Sequence, residues 1–330
     1  MKQYRRRRGR LPYIPPLALV LLAALAAGAV WLLAGRSFGA DTPAEPSTPP
    51  AVQQPDQQPP ADPPEERVTT AAGVACGPVE LGADALYAGE LILVNNQTFY
   101  HFPQDQELSC IYQEKSDSYY VRDMEVYLSP AAMEPLNRML DDFVAQGGSR
   151  TINVVAGYRT EAVQQHLFDQ SAERNGLDHT KKYVAQPGGS EHHTGLAVDL
   201  SIYHRDGTSS DYDGTGEYAW INENCGRYGF VVRYEPGKED KTGIYDEPWH
   251  FRYVGVAHAA AMAERGLCLE EYIDLLRDYP FDGEHLTIDC DAGSYEVWYC
   301  PGSTAYVPET GEYTVSGNNV DGLIVTCKIG

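Results

Sequence analysis

The sequence predicts an α+β domain, with a small antiparallel sheet flanked by helices and a small β tail near the end of the chain. Helical segments and short apolar strand segments do not alternate regularly, which disfavours a doubly wound parallel sheet. Residues 283–330 contain extended segments separated by turn residues. The chain has 330 residues, of which 43% are hydrophobic, so it is long enough and apolar enough to build a core.

The amino-terminal segment predicts a membrane anchor. Residues 1–36 contain seven basic side chains and no acidic one, and residues 17–34 form an uncharged apolar run. As a helix, this run spans about 27 Å, close to the thickness of the hydrocarbon core of a bilayer. Positive residues stay on the cytoplasmic side, so we expect residues 1–16 to be a cytoplasmic basic tail and the chain after the anchor to lie outside. A cleaved signal peptide is the alternative, but its apolar region is usually only about 7 to 15 residues long.

A proline-rich linker is predicted at residues 35–75. Nine prolines lie between Pro43 and Pro64 among polar residues, a composition that favours extended polyproline conformation. At about 3.1 Å per residue, such a spacer can hold a domain up to roughly 90 Å from a membrane. This length suits a protein that acts on a thick extracellular polymer. A spacer without any such requirement is equally compatible with the composition.

Charge and cysteine content limit the partners and the metal chemistry. The formal net charge is −22, and beyond residue 36 the chain carries 18 basic against 47 acidic side chains. Phosphates would repel such a domain, so we expect no nucleic acid partner. The seven cysteines are an odd number without a Cys-x-x-Cys pair, which disfavours a cysteine zinc site and leaves their disulfide pairing open.

The folded domain is predicted over residues 76–282. Ser129 and Thr160 are suited to cap two helices, and Gly176 is suited to end the second of them. Apolar periodicity predicts the other elements. The predicted order is extended segments at 91–94, 98–102 and 119–128, a helix to 145, a strand at 152–156, a helix to 175, a strand at 196–202, a helix at 217–228, strands at 230–234 and 249–254, helices at 256–265 and 269–279, and tail strands at 295–299 and 323–328.

A candidate metal site is carried by two segments. The first reads Ser-Glu-His-His-Thr-Gly-Leu-Ala-Val-Asp from Ser190 to Asp199, and its apolar end predicts a stiff, buried strand. The second, Glu-Pro-Trp-His-Phe-Arg, places His250 three positions after Glu247. His192, Asp199 and His250 are a donor set that suits Zn²⁺ with one open position, whereas a structural zinc site is closed by four protein ligands. A serine hydrolase is disfavoured, because no Gly-x-Ser-x-Gly elbow surrounds Ser190.

A third motif lies upstream, where a predicted strand ends at Gly-Tyr-Arg-Thr and a helix begins. It places Arg159 at this junction and Gln164 on the helix. With these three motifs in this order, the chain resembles the VanY-type D-alanyl-D-alanine carboxypeptidases, which belong to a group of zinc peptidases with VanX dipeptidases and lysostaphin-like enzymes. The resemblance covers roughly residues 91–279 and leaves out the anchor, the linker and the β tail.

The resemblance implies a role for several residues of these motifs. The roles are binding of one zinc ion by His192, Asp199 and His250, general base catalysis by Glu247, oxyanion stabilisation by Arg159, and substrate binding by Ser190 and Gln164. One departure is His193, where the family usually has glutamine. If the backbone is extended there, its side chain points away from that of His192, so we expect His193 not to be a ligand.

The function implied by the resemblance is that of an extracellular zinc D,D-carboxypeptidase. It would remove the terminal D-alanine from peptidoglycan stem peptides, tethered to the bacterial cell membrane by a single amino-terminal helix. An L,D-carboxypeptidase of tetrapeptide stems and an endopeptidase of cross-links are alternatives, since the choice lies in the shape of the pocket. A non-catalytic cell-wall-binding module on the same scaffold is the alternative from another class, and it should lack the general base or the arginine.

Overall fold

The computed structural model describes residues 68–330. The predicted cytoplasmic tail, the predicted anchor at 17–34 and residues 35–67 of the predicted linker lie outside these residues. Among the described residues, no helix is both long enough and apolar enough to cross a membrane.

Strands and helices are interspersed along the described chain up to Leu276, and the regular elements after Leu276 are all strands. The strands are β1 (Val68–Thr69), β2 (Ala75–Glu80), β3 (Ser109–Cys110), β4 (Tyr120–Val121), β5 (Tyr127–Leu128), β6 (Ile152–Ala156), β7 (Ala197–Tyr203), β8 (Ser209–Asp211), β9 (Phe230–Tyr234), β10 (Glu247–Tyr253), β11 (Leu286–Cys290), β12 (Gly293–Pro301), β13 (Thr304–Pro308), β14 (Tyr313–Gly317) and β15 (Gly322–Lys328). The α-helices are α1 (Ile111–Glu114), α2 (Pro130–Ala145), α3 (Glu161–Asn175), α4 (Leu177–Tyr183), α5 (Ala219–Asn224), α6 (Glu239–Thr242), α7 (Val256–Arg265) and α8 (Leu269–Leu276). Short 3₁₀ helices occur at Ala83–Tyr87, Glu191–Thr194, Gly216–Tyr218 and Cys225–Tyr228.

A six-stranded sheet carries both segments of the candidate metal site. Its order is β4-β6-β7-β10-β9, and β8 pairs with β7. Strands β4 and β6 are parallel, and the other pairs of this sheet are antiparallel. The predicted α+β fold with a small antiparallel sheet and a β tail is therefore confirmed, with one parallel pair at an edge.

Helix α2 provides much of the core next to this sheet. Its apolar stripe faces this core, since Leu136, Met139, Leu140 and Phe143 are all buried. They share one hydrophobic cluster with sheet residues such as Phe251. Each fully buried side chain of this kind contributes roughly 1.5–3 kcal/mol to stability, so the cluster holds the strands that carry the site.

The β tail packs on the two helices that follow β10. Strands β11, β12, β15 and β14 form a four-stranded antiparallel sheet, and β13 pairs with β2 in a second small sheet. Ala261 and Leu276 of α7 and α8 lie in one hydrophobic cluster with Val297 and Ile324 of the tail. The tail thus shares a core with residues before the predicted boundary at 282, and all described residues belong to one compact unit.

Two of the segments predicted as strands or extended segments do not join a sheet. The apolar segment 91–94 and the segment 98–102 form no strand. Side chains from distant parts of the chain bond to the backbone of the first segment in place of a strand partner: Arg252 donates to Ile92 O, Asn319 donates to Leu93 O, and Leu91 N donates to Ser316 Oγ. The burial of an apolar segment therefore does not require that it joins a sheet.

The predicted helix at 217–228 is confirmed as a continuous helical segment, but only its central part is an α-helix. It consists of a 3₁₀ turn, the short α5 and a second 3₁₀ turn at Cys225–Tyr228 that contains Gly226, a weak helix former. The helices predicted to end at Ala145 and Asn175 are confirmed. Thr160 caps α3 by accepting a hydrogen bond from Val163 N. The seven cysteines, which all lie in the described residues, are free thiols in this structure.

A buried histidine connects α7, α8 and the tail, and it predicts a pH dependence of stability. His258 Nδ1 lies 2.8 Å from Tyr272 Oη, and Nε2 lies 2.8 Å from Thr326 Oγ1. Burial lowers the pKa of His258 to about 4. Below pH 6.5, His258 binds a proton in the unfolded chain but stays neutral in the folded chain. The free energy of unfolding therefore decreases as the pH falls towards 4. Between pH 7 and pH 4.5 we expect His258 to account for about 2 to 3 kcal/mol of lost unfolding free energy.

Urea unfolding of the metal-free protein at both pH values measures this effect. In His258→Gln, the loss between pH 7 and pH 4.5 should be smaller than in the wild type by that amount. His204→Gln is the matched control, because His204 is exposed. An equal loss in the wild type and in His258→Gln would contradict the prediction.

Candidate active site

Two neighbouring strands place an aspartate and a histidine side by side. Asp199 of β7 lies directly opposite His250 of β10 in the antiparallel register. Glu247 is the first residue of β10, and the pairing of β10 with β9 is irregular between Glu247 and Phe251. These two strands therefore carry three of the predicted site residues, and Glu247 lies before the predicted strand 249–254 but inside the observed one.

His192 reaches the same place from a 3₁₀ helix, Glu191–Thr194, that precedes β7. This helix ends at Gly195, whose φ of 72° is in the left-handed region. A Cβ at Gly195 would lie 2.9 Å from Leu108 Cδ2 and 3.2 Å from Ser129 N. A side chain at this position would be strained in both conformation and space, which explains the glycine between the two ligand candidates.

The predicted ligand atoms form one cluster. One donor atom each from His192, Asp199 and His250 lies within 4.8 Å of the others. Asp199 Oδ1 is 2.8 Å from His250 Nδ1, and Asp199 Oδ2 is 3.1 Å from His192 Nε2. All three residues are buried. Two imidazoles and one carboxylate at this spacing fit a divalent cation such as Zn²⁺.

The protonation of His192 suits a ligand. Its Nδ1 lies 2.6 Å from Gly157 O, and a carbonyl oxygen only accepts, so Nδ1 carries the hydrogen and Nε2 faces Asp199 with a lone pair. Burial and then the charge of Arg159 lower the pKa of His192 to about 4. Burial opposes ionisation of Asp199, but His192 and Arg159 hold its pKa well below the usual range. A neutral imidazole and an ionised carboxylate are therefore ready near pH 7.

The carboxylates around His250 favour a positive charge at this place. Burial alone lowers the pKa of His250, but the hydrogen bond with the carboxylate of Asp199 and the nearby carboxylate of Glu191 outweigh it and raise the pKa to about 9. Glu247 Oε2 lies 3.9 Å from His250 Nδ1, and burial raises the pKa of Glu247 to about 7. These carboxylates favour positive charge at His250, so a metal ion bound there would replace a proton.

The predicted catalytic arginine is adjacent to this cluster. Arg159 Nη2 donates to Asp199 Oδ2 at 2.6 Å, and its backbone N–H donates to His192 O at 3.0 Å. Gln164 is the one fully buried side chain of α3, and it donates to Ala185 O while its Oε1 lies 3.5 Å from Arg159 Nη1. Ser190 is buried directly before the 3₁₀ helix. The structure thus brings all seven predicted site residues into one region.

Comparison with known proteins gives the family. A family model described as VanY, D-alanyl-D-alanine carboxypeptidase, matches residues 125–256. A D-alanyl-D-alanine carboxypeptidase of Enterococcus faecium is 33% identical over 251 residues, which cover 74% of this chain and 76% of that protein. The chain belongs to the VanY family of D-alanyl-D-alanine carboxypeptidases. The predicted resemblance is therefore confirmed, and the protein is a carboxypeptidase of the VanY type.

Other members of the VanY group extend the similarity to dipeptidases. A bifunctional D-Ala-D-Ala dipeptidase and D-Ala-D-Ala carboxypeptidase, VanXYC of Enterococcus gallinarum, is 38% identical over 165 residues, or 47% of this chain and 81% of that protein. The crystal structure of the D,D-dipeptidase VanXYg in complex with a D-Ala-D-Ala phosphinate analogue matches with a TM-score of 0.68 and 32% identity. It covers 77% of this chain and 99% of that one.

This VanY-family site contains a buried carboxylate that the sequence reasoning missed. Glu191 Oε1 accepts hydrogen bonds from Arg233 Nε at 2.7 Å and Arg252 Nη1 at 2.8 Å, and all three side chains are 0% exposed. A signal was present, because Arg233 and Arg252 stand within apolar strand segments, and a buried guanidinium needs an anionic partner. Arg252 has a structural role, because it donates to Glu191 and to backbone carbonyls.

His193, the departure from the VanY pattern, is not part of the ligand cluster. The reason differs from the expected one, because the backbone is a 3₁₀ turn and not an extended strand. Gly188 N donates to His193 Nε2 at 3.1 Å, and His193 Nδ1 lies 2.7 Å from Arg159 O. A neutral imidazole thus joins the loop before Ser190 to the segment of Arg159. A glutamine amide also has one acceptor and one donor end, so it can make the same two kinds of bond.

Proposed function

We propose that the protein is a zinc D,D-carboxypeptidase that removes the terminal D-alanine of peptidoglycan stem peptides outside the cell. One observation carries the proposal: ligand atoms of His192, Asp199 and His250 lie within 4.8 Å of one another, beside Glu247 and Arg159. The alternative of a non-catalytic wall-binding module is disfavoured, since it should lack the base or the arginine.

The donor set supports zinc as the metal at this place. His192, Asp199 and His250 would hold it, and three protein ligands leave an open position, as in catalytic zinc sites. When bound, zinc supplies a Lewis acid that polarises the scissile carbonyl and lowers the pKa of water to about 7.

Glu247 is proposed as the general base, and Arg159 as the oxyanion donor. Glu247 takes a proton from the attacking water and passes it to the leaving amine, and its buried position suits a base that is active near neutral pH. Arg159 stabilises the oxyanion, because its guanidinium is always charged and offers several N–H donors in a rigid plane. Ser190 and Gln164 are proposed to contact the substrate peptide and its terminal carboxylate.

The proposed location rests on the amino-terminal sequence. The basic residues before the apolar run at 17–34 support a single anchor with the catalytic domain outside the cytoplasm. Protease treatment of intact cells, followed by membrane fractionation, tests this proposal. A protein that is protected from the protease or found in the soluble cytoplasmic fraction would overturn it.

Defined muropeptides test the function. The purified protein is incubated with a pentapeptide stem that ends in D-Ala-D-Ala, a tetrapeptide stem and a cross-linked dimer, each with and without chelator, and the products are identified by mass. We expect loss of one D-alanine from the pentapeptide alone, and no loss in chelator. Loss of D-alanine from the tetrapeptide only would show that the protein is an L,D-carboxypeptidase. Cleavage of the cross-linked dimer would show that it is an endopeptidase. D-alanine release that persists in chelator would rule out the metal mechanism.

A further inference from the structure

Two buried polar atoms without hydrogen-bond partners face each other beneath the candidate metal site. Within residues 68–330, three buried side-chain nitrogen or oxygen atoms lack a partner, and they are Glu191 Oε2, His250 Nε2 and Asn319 Oδ1. The first two are 3.6 Å apart. Buried polar atoms without a partner are rare and costly, so two that face each other need an explanation.

Glu191 is held in a fixed orientation. Its Oε1 accepts hydrogen bonds from both Arg233 and Arg252, which leaves Oε2 as the free oxygen on the side of His250. The two arginines have further partners, since Arg233 donates to both carboxylate oxygens of Glu270 and Arg252 donates to three backbone carbonyls. The arginines fix Glu191 without using Oε2, so this oxygen is available for His250.

We infer that Glu191 is a positioning residue for the metal: its Oε2 accepts the N–H of His250 Nε2, which leaves the lone pair of Nδ1 directed at the cation. The inference rests on metal binding as proposed above. A neutral imidazole has one N–H and one lone pair, so a carboxylate at Nε2 determines which nitrogen can bind a metal. His250 Nδ1 is the nitrogen that faces Asp199, at 2.8 Å.

The other histidine of the site is oriented in the same way with the two nitrogens exchanged. Gly157 O takes the Nδ1–H of His192, and Nε2 of His192 faces Asp199. Each histidine thus has one nitrogen at a protein acceptor and the other at Asp199. In the case of His250 the acceptor is an anion, which also increases the basicity of the ligand nitrogen.

A glutamine at position 191 cannot replace the carboxylate. Its amide oxygen would have to face the two arginines, because both only donate, and its NH₂ group would then face His250 Nε2. This arrangement favours the tautomer with the hydrogen on Nδ1, where the metal would bind. We therefore expect Glu191→Gln to weaken zinc binding by about 10- to 100-fold.

Zinc titration against a chromophoric chelator measures this effect in the wild type, Glu191→Gln and Glu270→Gln. Glu270→Gln is the matched control, because it also removes a carboxylate from Arg233 but Glu270 does not pair with His250. We expect it to bind zinc within about threefold of the wild type, since it leaves the ligands and the atoms that orient them intact. The inference is overturned, and the proposed function stands, if Glu191→Gln binds zinc as tightly as the wild type. The same holds if Glu191→Gln and Glu270→Gln lose zinc affinity to the same extent. If the wild type binds no zinc, both are overturned.

A measurement on the wild type keeps the inference testable if Glu191→Gln does not fold. Long-range ¹H–¹⁵N spectra of the imidazole rings, with His250 assigned through its backbone, distinguish the two tautomers in the zinc-loaded protein. We expect a hydrogen on Nε2 of His250 and the metal on Nδ1. A hydrogen on Nδ1, or a metal-shifted Nε2, would overturn the inference.

Discussion

Replacement of Glu247 by glutamine is expected to lower kcat by about 10³-fold while zinc stays bound. Glutamine has nearly the shape of glutamate but cannot take a proton from water. Glu247 lies next to the ligand cluster without belonging to it, since the cluster consists of His192, Asp199 and His250. Steady-state release of D-alanine measures kcat, and elemental analysis of the dialysed protein measures the zinc content.

Asp246→Asn is the matched control for this variant. It removes the same charge at the adjacent position, but Asp246 is exposed whereas the Glu247 side chain is 13% exposed beside His250. We expect the control to keep kcat within about threefold of the wild type, because it removes no group that transfers a proton in the reaction. If Glu247→Gln keeps more than about a tenth of the activity, the proton transfer has another acceptor, and the assigned role is wrong. If it loses zinc as well, Glu247 acts through the metal and not as the base.

The candidate metal ligands were predictable because they stand on short elements with clear local signals, whereas the roles of the other site residues came from the resemblance to the VanY family. Asp199 and His250 lie in apolar strands, and antiparallel pairing of those strands places them opposite each other. Arg159 follows the strand β6 and precedes the capped helix α3, as the sequence indicated. Local propensity and motif order are sufficient to predict a site of this kind when neighbouring strands carry the ligands. The register of the two strands then brings side chains such as those of Asp199 and His250 together.

The interactions that the sequence did not indicate depend on distant partners. Segment 91–94 looks like a strand because it is apolar, but Arg252, Ser316 and Asn319 bond to its backbone from more than 150 residues away in the chain. Glu191 was overlooked for a similar reason, since its two arginines are 42 and 61 positions later. Propensity describes local backbone preferences, whereas these contacts exist only after the tail and the sheet have packed together.

Replacement of Arg159 by methionine is expected to lower kcat by about 10²- to 10³-fold without any loss of zinc affinity. The guanidinium is proposed to stabilise charge that develops on the oxyanion, which methionine cannot do. Its present partner is Asp199, at 2.6 Å, and this ion pair competes with a cation for the same carboxylate. Removal of the positive charge should therefore leave zinc binding unchanged or make it tighter.

Activity in excess zinc separates this role from a purely structural one. If Arg159 only oriented Asp199 as a ligand, Arg159→Met would lose zinc and activity together, and added zinc would restore the activity. The oxyanion role predicts that added zinc restores nothing, because the zinc site is already filled. Arg174→Met is the control for the loss of one positive charge, since Arg174 is exposed near the end of α3. Arg159→Lys keeps the charge but not the planar set of donors, so it should recover only part of the lost rate if geometry as well as charge is required.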